Sequence, residues 1–255
     1  MPSSFADGLS LINRGSGQPA LVFLHYFSGA AASWQWVVEI LQHDFQCIAL
    51  DLPGFGQAEP LAEPSLAGYS RFISKALTQL QLERVVLVGH SMGGKLALQV
   101  AADLGEGILE RVILVAPSPP TQEPMPDEEK ERMLGNHHQR QVATTTVDSA
   151  SQQALPTARR ELAIDTHIQA EDSAWRWWLL AGMNHSIADR LDQIPVPIRV
   201  IASPDDPVIP WETIEQEVMA LLPKAKLIKL SGVGHLVPLE NPEQLAAALR
   251  QALAA

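Results

Sequence analysis

Cysteine is almost absent from this sequence of 255 residues, which contains Cys47 alone. A single cysteine excludes a disulfide framework within one chain and excludes a zinc site built from several cysteines. Because Cys47 lies in the mainly apolar segment 45–50, we expect it to be a buried core residue.

Positive charge is also scarce. The sequence has 18 Lys and Arg residues against 29 Asp and Glu residues, which gives a formal net charge of −11. Phosphate binding needs a basic patch, and none is visible, so nucleic acid is not an expected partner. The acidity is typical of a surface that keeps a protein in solution.

Long hydrophobic runs are missing too. No apolar stretch approaches the roughly 20 residues of a membrane-spanning helix. The first residues have neither the basic start nor the apolar centre of a secretory signal. These features predict a cytoplasmic protein with no membrane partner, and they indicate no particular oligomeric state.

Cofactor and metal patterns are incomplete. Gly15-Ser-Gly17 lacks the rest of a dinucleotide fingerprint, and Lys95 is followed by Leu96 instead of the Ser or Thr of a phosphate-binding loop. The adjacent pair His137-His138 could suggest a metal site, but neighbouring residues on a helix point different ways. We therefore expect no cofactor, no metal and two surface histidines.

Short apolar runs alternate along the chain with longer helical patterns. Predicted strands cover 20–24, 47–50, 85–88, 111–116, 198–202 and 226–230, with a possible antiparallel strand near 9–13. Predicted helices cover about 32–41, 66–80, 95–103 and 211–222, and a last helix begins at 242. This alternation predicts an α/β fold with a mostly parallel central sheet flanked by helices. Ligands of such sheets bind at the carboxyl ends of the strands.

The segment 118–188 breaks this alternation with proline-rich, charged and helical stretches. A long insertion on the side of a catalytic residue is where a lid is expected. We therefore predict a core formed by 1–117 and 189–255, and a helical cap or lid over 118–188. Tryptophans cluster near the end of the insertion; we expect them to pack it onto the core, with Trp178 also contacting substrate.

The segment 85–94 is the most informative part of the chain. An apolar run ends in Gly89-His-Ser91-Met-Gly93 and a helical pattern follows. The G-x-S-x-G pattern is typical of a sharp strand-to-helix turn that presents a nucleophilic serine. The glycines let strand and helix cross closely, and the helix N-terminus points backbone N–H groups at developing negative charge. The alternative is that Ser91 only caps the helix.

A serine nucleophile needs a general base, usually histidine, and that base needs an orienting carboxylate. Two adjacent acids, Asp205 and Asp206, follow the predicted strand 198–202. His235 lies in a loop after the predicted strand 226–230, where it could hang over the edge of the sheet.

Together these features resemble the α/β-hydrolase superfamily, in its lid-bearing form with a Gly-His-Ser-Met-Gly elbow. The resemblance covers nearly the whole chain, from the loop after His25 to the Gly-x-Gly-His pattern that ends at His235. It implies that Ser91 is the nucleophile and that His235 is the general base and acid. The family places its acid four residues before a proline, which selects Asp206 because Pro210 follows it.

The resemblance also implies an oxyanion hole. Its two donors would be the backbone N–H groups of Met92 and Phe27, the second residue after His25. The family usually has glycine where this sequence has Tyr26, which affects the backbone path and the assignment of Phe27. We expect Tyr26 to fill space beside the acyl pocket, with a hydroxyl contact to substrate as the alternative. Asp51 is expected to be architectural.

The resemblance implies a serine hydrolase that cleaves small or medium carboxylic esters through an acyl-enzyme, with a small-molecule ester as its partner. Ser91 argues against dehalogenases and epoxide hydrolases, which use an aspartate nucleophile on this fold. Lactonases, carbon–carbon bond hydrolases, amidases and perhydrolases keep the same triad. A small-molecule receptor that retains the triad is the alternative from another class.

Overall fold

A computed structural model describes residues 4–6 and 8–254, and these residues form one eight-stranded sheet. The strands are β1 (Ser4–Ala6), β2 (Leu9–Arg14), β3 (Ala20–Leu24), β4 (Cys47–Leu50), β5 (Val85–His90), β6 (Leu109–Val115), β7 (Ile198–Ala202) and β8 (Lys226–Lys229). Their order in the sheet is β1-β2-β4-β3-β5-β6-β7-β8. The strands from β3 to β8 pair in parallel, and β1 and β2 are antiparallel. The predicted fold class and the early antiparallel strand are confirmed.

The central strands of the sheet are buried on both faces. All residues of β3 and β5 are buried. Side chains alternate between the faces, so that Leu21 and Phe23 join one apolar cluster while Val22 and Leu24 join the other. This double burial explains why the strands are continuous hydrophobic runs in the sequence.

Helices follow most strands. They are α1 (Gln35–Leu41), α2 (Leu66–Gln79), α3 (Met92–Leu104), α4 (Asp127–Gly135), α5 (Arg140–Ser149), α6 (Thr157–Gln169), α7 (Asp172–Trp177), α8 (Trp211–Thr213), α9 (Val237–Glu240) and α10 (Pro242–Ala254). A 3₁₀ turn, Ala31–Trp34, precedes α1, and π-helical turns extend α7 and α8 over Trp178–Gly182 and Ile214–Met219. The helix α3 begins directly after Ser91, as predicted, and continues through 95–103 despite two glycines that have low helix propensity.

The helices α4 to α7 lie in the predicted insertion, between β6 and β7. Trp177 stacks on Tyr69 of α2, with 4.7 Å between ring centroids. The indole N–H of Trp175 donates to the carbonyl of Met133 at 3.1 Å, inside the insertion. Trp177 thus packs this segment onto the core, as expected, and the role of 118–188 as a lid stays a prediction.

The single cysteine lies in the core, as expected, and the helices can be compared with a membrane-spanning segment. Cys47 is fully buried at the start of β4, and burial raises the pKa of its thiol to about 12. Within 4–6 and 8–254, no helix combines the length and the hydropathy that a bilayer-spanning segment requires.

Candidate active site

Ser91 stands at the turn between β5 and α3. Its backbone has φ 52° and ψ −117°, a conformation that residues other than glycine rarely adopt. The turn is held from both sides: the N–H of Ser91 donates to the carbonyl of Val115, and its carbonyl accepts from the N–H of Gly94. The strained turn lifts the serine side chain to the carboxyl end of the sheet.

The two glycines that flank Ser91 are required by close backbone contacts. A Cβ atom on Gly89 would lie 2.2 Å from the carbonyl oxygen of Gly93. A Cβ atom on Gly93 would lie 2.4 Å from the carbonyl oxygen of Leu24 in β3. Any side chain at either position would force strand and helix apart and move Ser91.

His235 bridges Ser91 and Asp206. Its Nε2 lies 2.9 Å from the Oγ of Ser91, and its Nδ1 lies 2.8 Å from the Oδ2 of Asp206. Because a carboxylate only accepts, Nδ1 carries the proton of the neutral ring and Nε2 accepts from the serine hydroxyl. All three side chains are buried. The structure thus brings together three residues that are far apart in the sequence.

The structure distinguishes the two adjacent acids. The Oδ1 of Asp206 accepts from the N–H groups of Val208 and Ile209, which leaves Oδ2 facing the imidazole. Asp205 is exposed and points elsewhere, because its Oδ2 accepts from the N–H of Gly232 at 2.7 Å. Asp205 therefore braces the loop that carries His235, and Asp206 contacts the ring.

His90 is a site residue that the sequence did not reveal. Its Nε2 lies 2.8 Å from the carbonyl oxygen of His235, so Nε2 must be the donor. Burial, and then the nearby charge of His235, lower its pKa well below 6.5 and keep it neutral. From the other side, the N–H of His235 donates to the carbonyl of Ala150 at the end of α5. The histidine loop is thus anchored to both the elbow and the insertion.

A cavity of about 340 Å³ opens onto Ser91 and His235. Its walls include Tyr26, Phe27, Glu123, Met133, Trp178 and Leu236. The predicted substrate contacts Tyr26 and Trp178 therefore border the same cavity as the serine.

Of the two predicted oxyanion donors, Phe27 lines this cavity, and Met92 directly follows Ser91, which also lines it. Met92 is the first residue of α3, so its N–H has no partner within the helix. In the described part of the chain, neither this N–H nor that of Phe27 donates to another protein group. The ring of Phe27 packs on Trp175, with 4.5 Å between centroids. Both N–H groups are therefore available to a ligand.

Tyr26 occupies the position where the family usually has glycine. Its hydroxyl is enclosed by protein, and burial raises its pKa to about 12, although the neighbouring hydroxyls of Ser33 and Thr166 lower it in part. The ring lies against Gly29, where an added Cβ would come within 2.7 Å of it. This position favours the space-filling role over a hydroxyl contact to substrate.

His25 and Asp51 serve the architecture of the neighbouring loops. The Nδ1–H of His25 donates to the carbonyl of Tyr26, and its Nε2 accepts from the N–H of Leu52. Burial lowers the pKa of His25 to about 4, so the ring is neutral. Asp51 accepts from the N–H of Ala31 at 2.7 Å, which is the architectural role expected for it.

Lys95, one turn into α3, ties both ends of the insertion to the core. Its Nζ donates to the carbonyls of Thr121, Met183 and His185 at 2.8, 3.1 and 3.2 Å. These bonds use all three donors of the ammonium. Burial lowers the pKa of Lys95 to about 8, although the charge of Glu123 raises it.

One group among residues 4–6 and 8–254 has the spacing of a metal site: His137, His138 and Asp172, whose ligand atoms lie within 4.8 Å of one another. The prediction of surface histidines is wrong for His137, which is buried against Trp175. The pair lies in a turn between α4 and α5, so the two rings stack with 4.0 Å between centroids. Both rings contact Asp172 Oδ1 and thereby join α7 to this turn.

Comparison with known proteins places this geometry in a family. The Bacillus subtilis uncharacterized hydrolase YugF is 28% identical over 243 residues, covering 89% of this chain and 87% of that protein. A component of the acetoin cleaving system of Cupriavidus necator, a dihydrolipoyllysine-residue acetyltransferase, is 37% identical over 114 residues. That match spans 44% of this chain and only 30% of the relative.

The fold is shared with solved structures. The esterase EaEST from Exiguobacterium antarcticum superposes with a TM-score of 0.84 at 20% identity, covering 100% of both chains. The model of the alpha/beta hydrolase family matches residues 21–248. With that match over most of its length, this chain belongs to the alpha/beta hydrolase family.

Proposed function

We propose that this protein is a serine hydrolase that cleaves small or medium carboxylic esters. The observation that carries the proposal is the hydrogen-bonded chain from Ser91 through His235 to Asp206 at the floor of a cavity. A cavity of about 340 Å³ is near the lower end of ligand pockets, which run from about 300 to about 1,000 Å³. Its size therefore favours small substrates.

The reaction begins when the Oγ of Ser91 attacks the ester carbonyl carbon and His235 Nε2 takes the hydroxyl proton. The carbonyl oxygen becomes an oxyanion that the N–H groups of Met92 and Phe27 can bind. The bond to the alcohol then breaks, the alcohol leaves with the proton from His235, and Ser91 carries the acyl group. Water attacks this acyl-enzyme by the same route, which releases the acid and restores Ser91.

Asp206 supports each proton transfer because its carboxylate holds Nδ1–H and stabilises the imidazolium. His90 positions His235 from the opposite side, because its Nε2–H donates to the backbone carbonyl of His235. Lactonases, carbon–carbon bond hydrolases and perhydrolases use the same groups, so these alternatives are distinguished by substrate.

Covalent labelling tests the nucleophile. Phenylmethylsulfonyl fluoride should sulfonylate Ser91 with release of fluoride, and peptide mass spectrometry should find the added mass on the peptide that contains Gly89–Gly93. Wild-type protein should also release many equivalents of p-nitrophenol from p-nitrophenyl acetate. Labelling elsewhere would refute the nucleophile, and a single equivalent of product would favour a receptor over an enzyme.

The pH dependence of kcat/KM should show an acid limb. Hydrolysis needs neutral His235, whose pKa is raised above 6.5: burial lowers it, but the charge and hydrogen bond of Asp206 and the charge of Glu123 outweigh burial. Activity should fall as pH drops through this raised pKa and should be constant above it. Initial rates from about pH 5 to about pH 9 measure the profile, and an activity that is constant down to pH 5 would contradict the role of His235.

A further inference from the structure

Glu123 lies in the wall of the cavity and has no part in the proposed reaction. It is 8% exposed, and its Oε2 has no hydrogen-bond partner among the described residues. A carboxyl group that is buried without a partner normally costs several kcal/mol. Such a group in a binding cavity needs an explanation.

The chain holds Glu123 firmly where it is. Its backbone N–H donates to the carbonyl of Met183 at 2.8 Å. Two residues earlier, the carbonyl of Thr121 accepts from the buried ammonium of Lys95 at 2.8 Å. These two bonds fix the backbone that carries the Glu123 side chain.

The ammonium of Lys95 does not satisfy the carboxyl group. Burial raises the pKa of Glu123, and the hydroxyl of Ser118 and the charges of Lys95 and His235 lower it only in part. All three donors of the Lys95 ammonium are already used by backbone carbonyls. The oxygen Oε2 is enclosed by protein, whereas Oε1 is not enclosed and remains open to a donor that enters the cavity.

The charged residues around the cavity determine which substrate group Glu123 can bind. The described residues that line it include no lysine or arginine. The other acid in the wall, Glu129, is paired with Arg132 at 2.7 Å. A substrate carboxylate would meet Glu123 and the nearby charge of Asp206, with no lysine or arginine in the cavity wall to pair with it. A hydroxyl or ammonium group would instead gain a hydrogen bond.

We propose that Glu123 is a specificity-determining residue that binds a hydroxyl or ammonium group of the substrate and rejects substrates with a carboxylate at that place. This inference rests on the proposed ester hydrolysis and names its substrate class. Glu123 would contact a part of the substrate away from the reacting carbonyl.

Matched methyl esters test the proposal. The methyl ester of β-alanine, methyl β-hydroxypropanoate and methyl butanoate have nearly the same shape and end in an ammonium, a hydroxyl and a methyl group; monomethyl succinate supplies a carboxylate. In the wild type, kcat/KM for the β-alanine ester should exceed that for monomethyl succinate by about 100-fold, as expected for a charge-assisted hydrogen bond. Glu123→Gln should reduce this ratio about tenfold or more.

Glu128→Gln is the matched control. It removes the same charge from an exposed residue of α4 that does not line the cavity, and it should leave the ratio unchanged. Glu123→Met, which is similar in shape, serves as a second variant if the glutamine variant does not fold. An unchanged ratio in both Glu123 variants would overturn the proposal. An equal loss on all four esters would also overturn it, because Glu123 would then act through His235.

Failure of the proposed function would look different. If the wild type hydrolyses none of the esters, the reaction assignment fails, but binding still tests Glu123. In Ser91→Ala, intrinsic tryptophan fluorescence, to which Trp178 in the cavity wall contributes, can report binding of β-alanine amide and of succinamate. Tighter binding of β-alanine amide that Glu123→Gln abolishes would support the proposal, whereas equal affinities would overturn it.

Discussion

Ser91→Ala should reduce kcat for p-nitrophenyl acetate by roughly 10⁵- to 10⁶-fold, the scale of losing a serine nucleophile. The substitution removes the only atom that can form the acyl-enzyme in the proposed reaction, and it leaves Nε2 of His235 without its hydrogen-bond partner. Alanine can follow the same backbone path as serine, so the fold should remain intact. Stopped and continuous assays of p-nitrophenol release measure the loss.

Ser149→Ala provides the control for this experiment. Ser149 also lines the cavity, but its hydroxyl donates to the carbonyl of Thr146 and lies in α5. Its removal should change kcat by less than about threefold, as expected for a surface substitution. Circular dichroism should show the same spectrum for both variants. Retention of activity in folded Ser91→Ala would remove the basis of the serine mechanism.

Asp206→Asn should lower kcat by about 10⁴-fold, the size of effect seen when an orienting carboxylate becomes an amide. The amide oxygen can still accept from the N–H groups of Val208 and Ile209. Its NH₂ group then occupies the place of Oδ2 and faces His235 as a donor. The imidazole must move its proton to Nε2, which can no longer take the proton of Ser91.

Asp205→Asn is a demanding control because it makes the same change one residue away. Asp205 only accepts from the N–H of Gly232, and an amide oxygen can keep that bond. We expect a loss of less than about tenfold, from looser support of the histidine loop. Steady-state kinetics on both variants, with thermal melts to verify folding, measure the difference. Equal losses at the two positions would contradict the assignment of Asp206.

Much of the fold could be predicted from local patterns. The central strands β3 and β5 are mainly apolar because both of their faces are buried, and this signal survives in the sequence alone. The elbow was readable because its glycines and serine are adjacent, and their spacing follows from backbone contacts such as that between Gly89 and Gly93. The acid that contacts His235 was harder to assign, because Asp205 and Asp206 are adjacent and differ only in the direction in which the turn after β7 points their side chains.

The errors and omissions have a common origin in contacts between distant segments. His137 was expected at the surface because helix periodicity was assumed, but it lies in a turn and is buried against Trp175. His90 stands at a position where the G-x-S-x-G pattern specifies no residue type, yet its partner lies 145 residues away. Lys95 looked like an ordinary helix residue, and only the return of the chain at Met183 supplies the carbonyls that bury its charge.

By itself, the sequence determined the alternation of strands and helices, the serine turn and the pool of candidate partners, because each depends on neighbouring residues and on the period of burial. Only the tertiary structure decided which acid meets His235, which histidine supports it and where Glu123 points. Those outcomes depend on how separate segments of the chain approach one another in three dimensions. The position of a residue in the sequence does not specify its distance in space from a side chain on another segment.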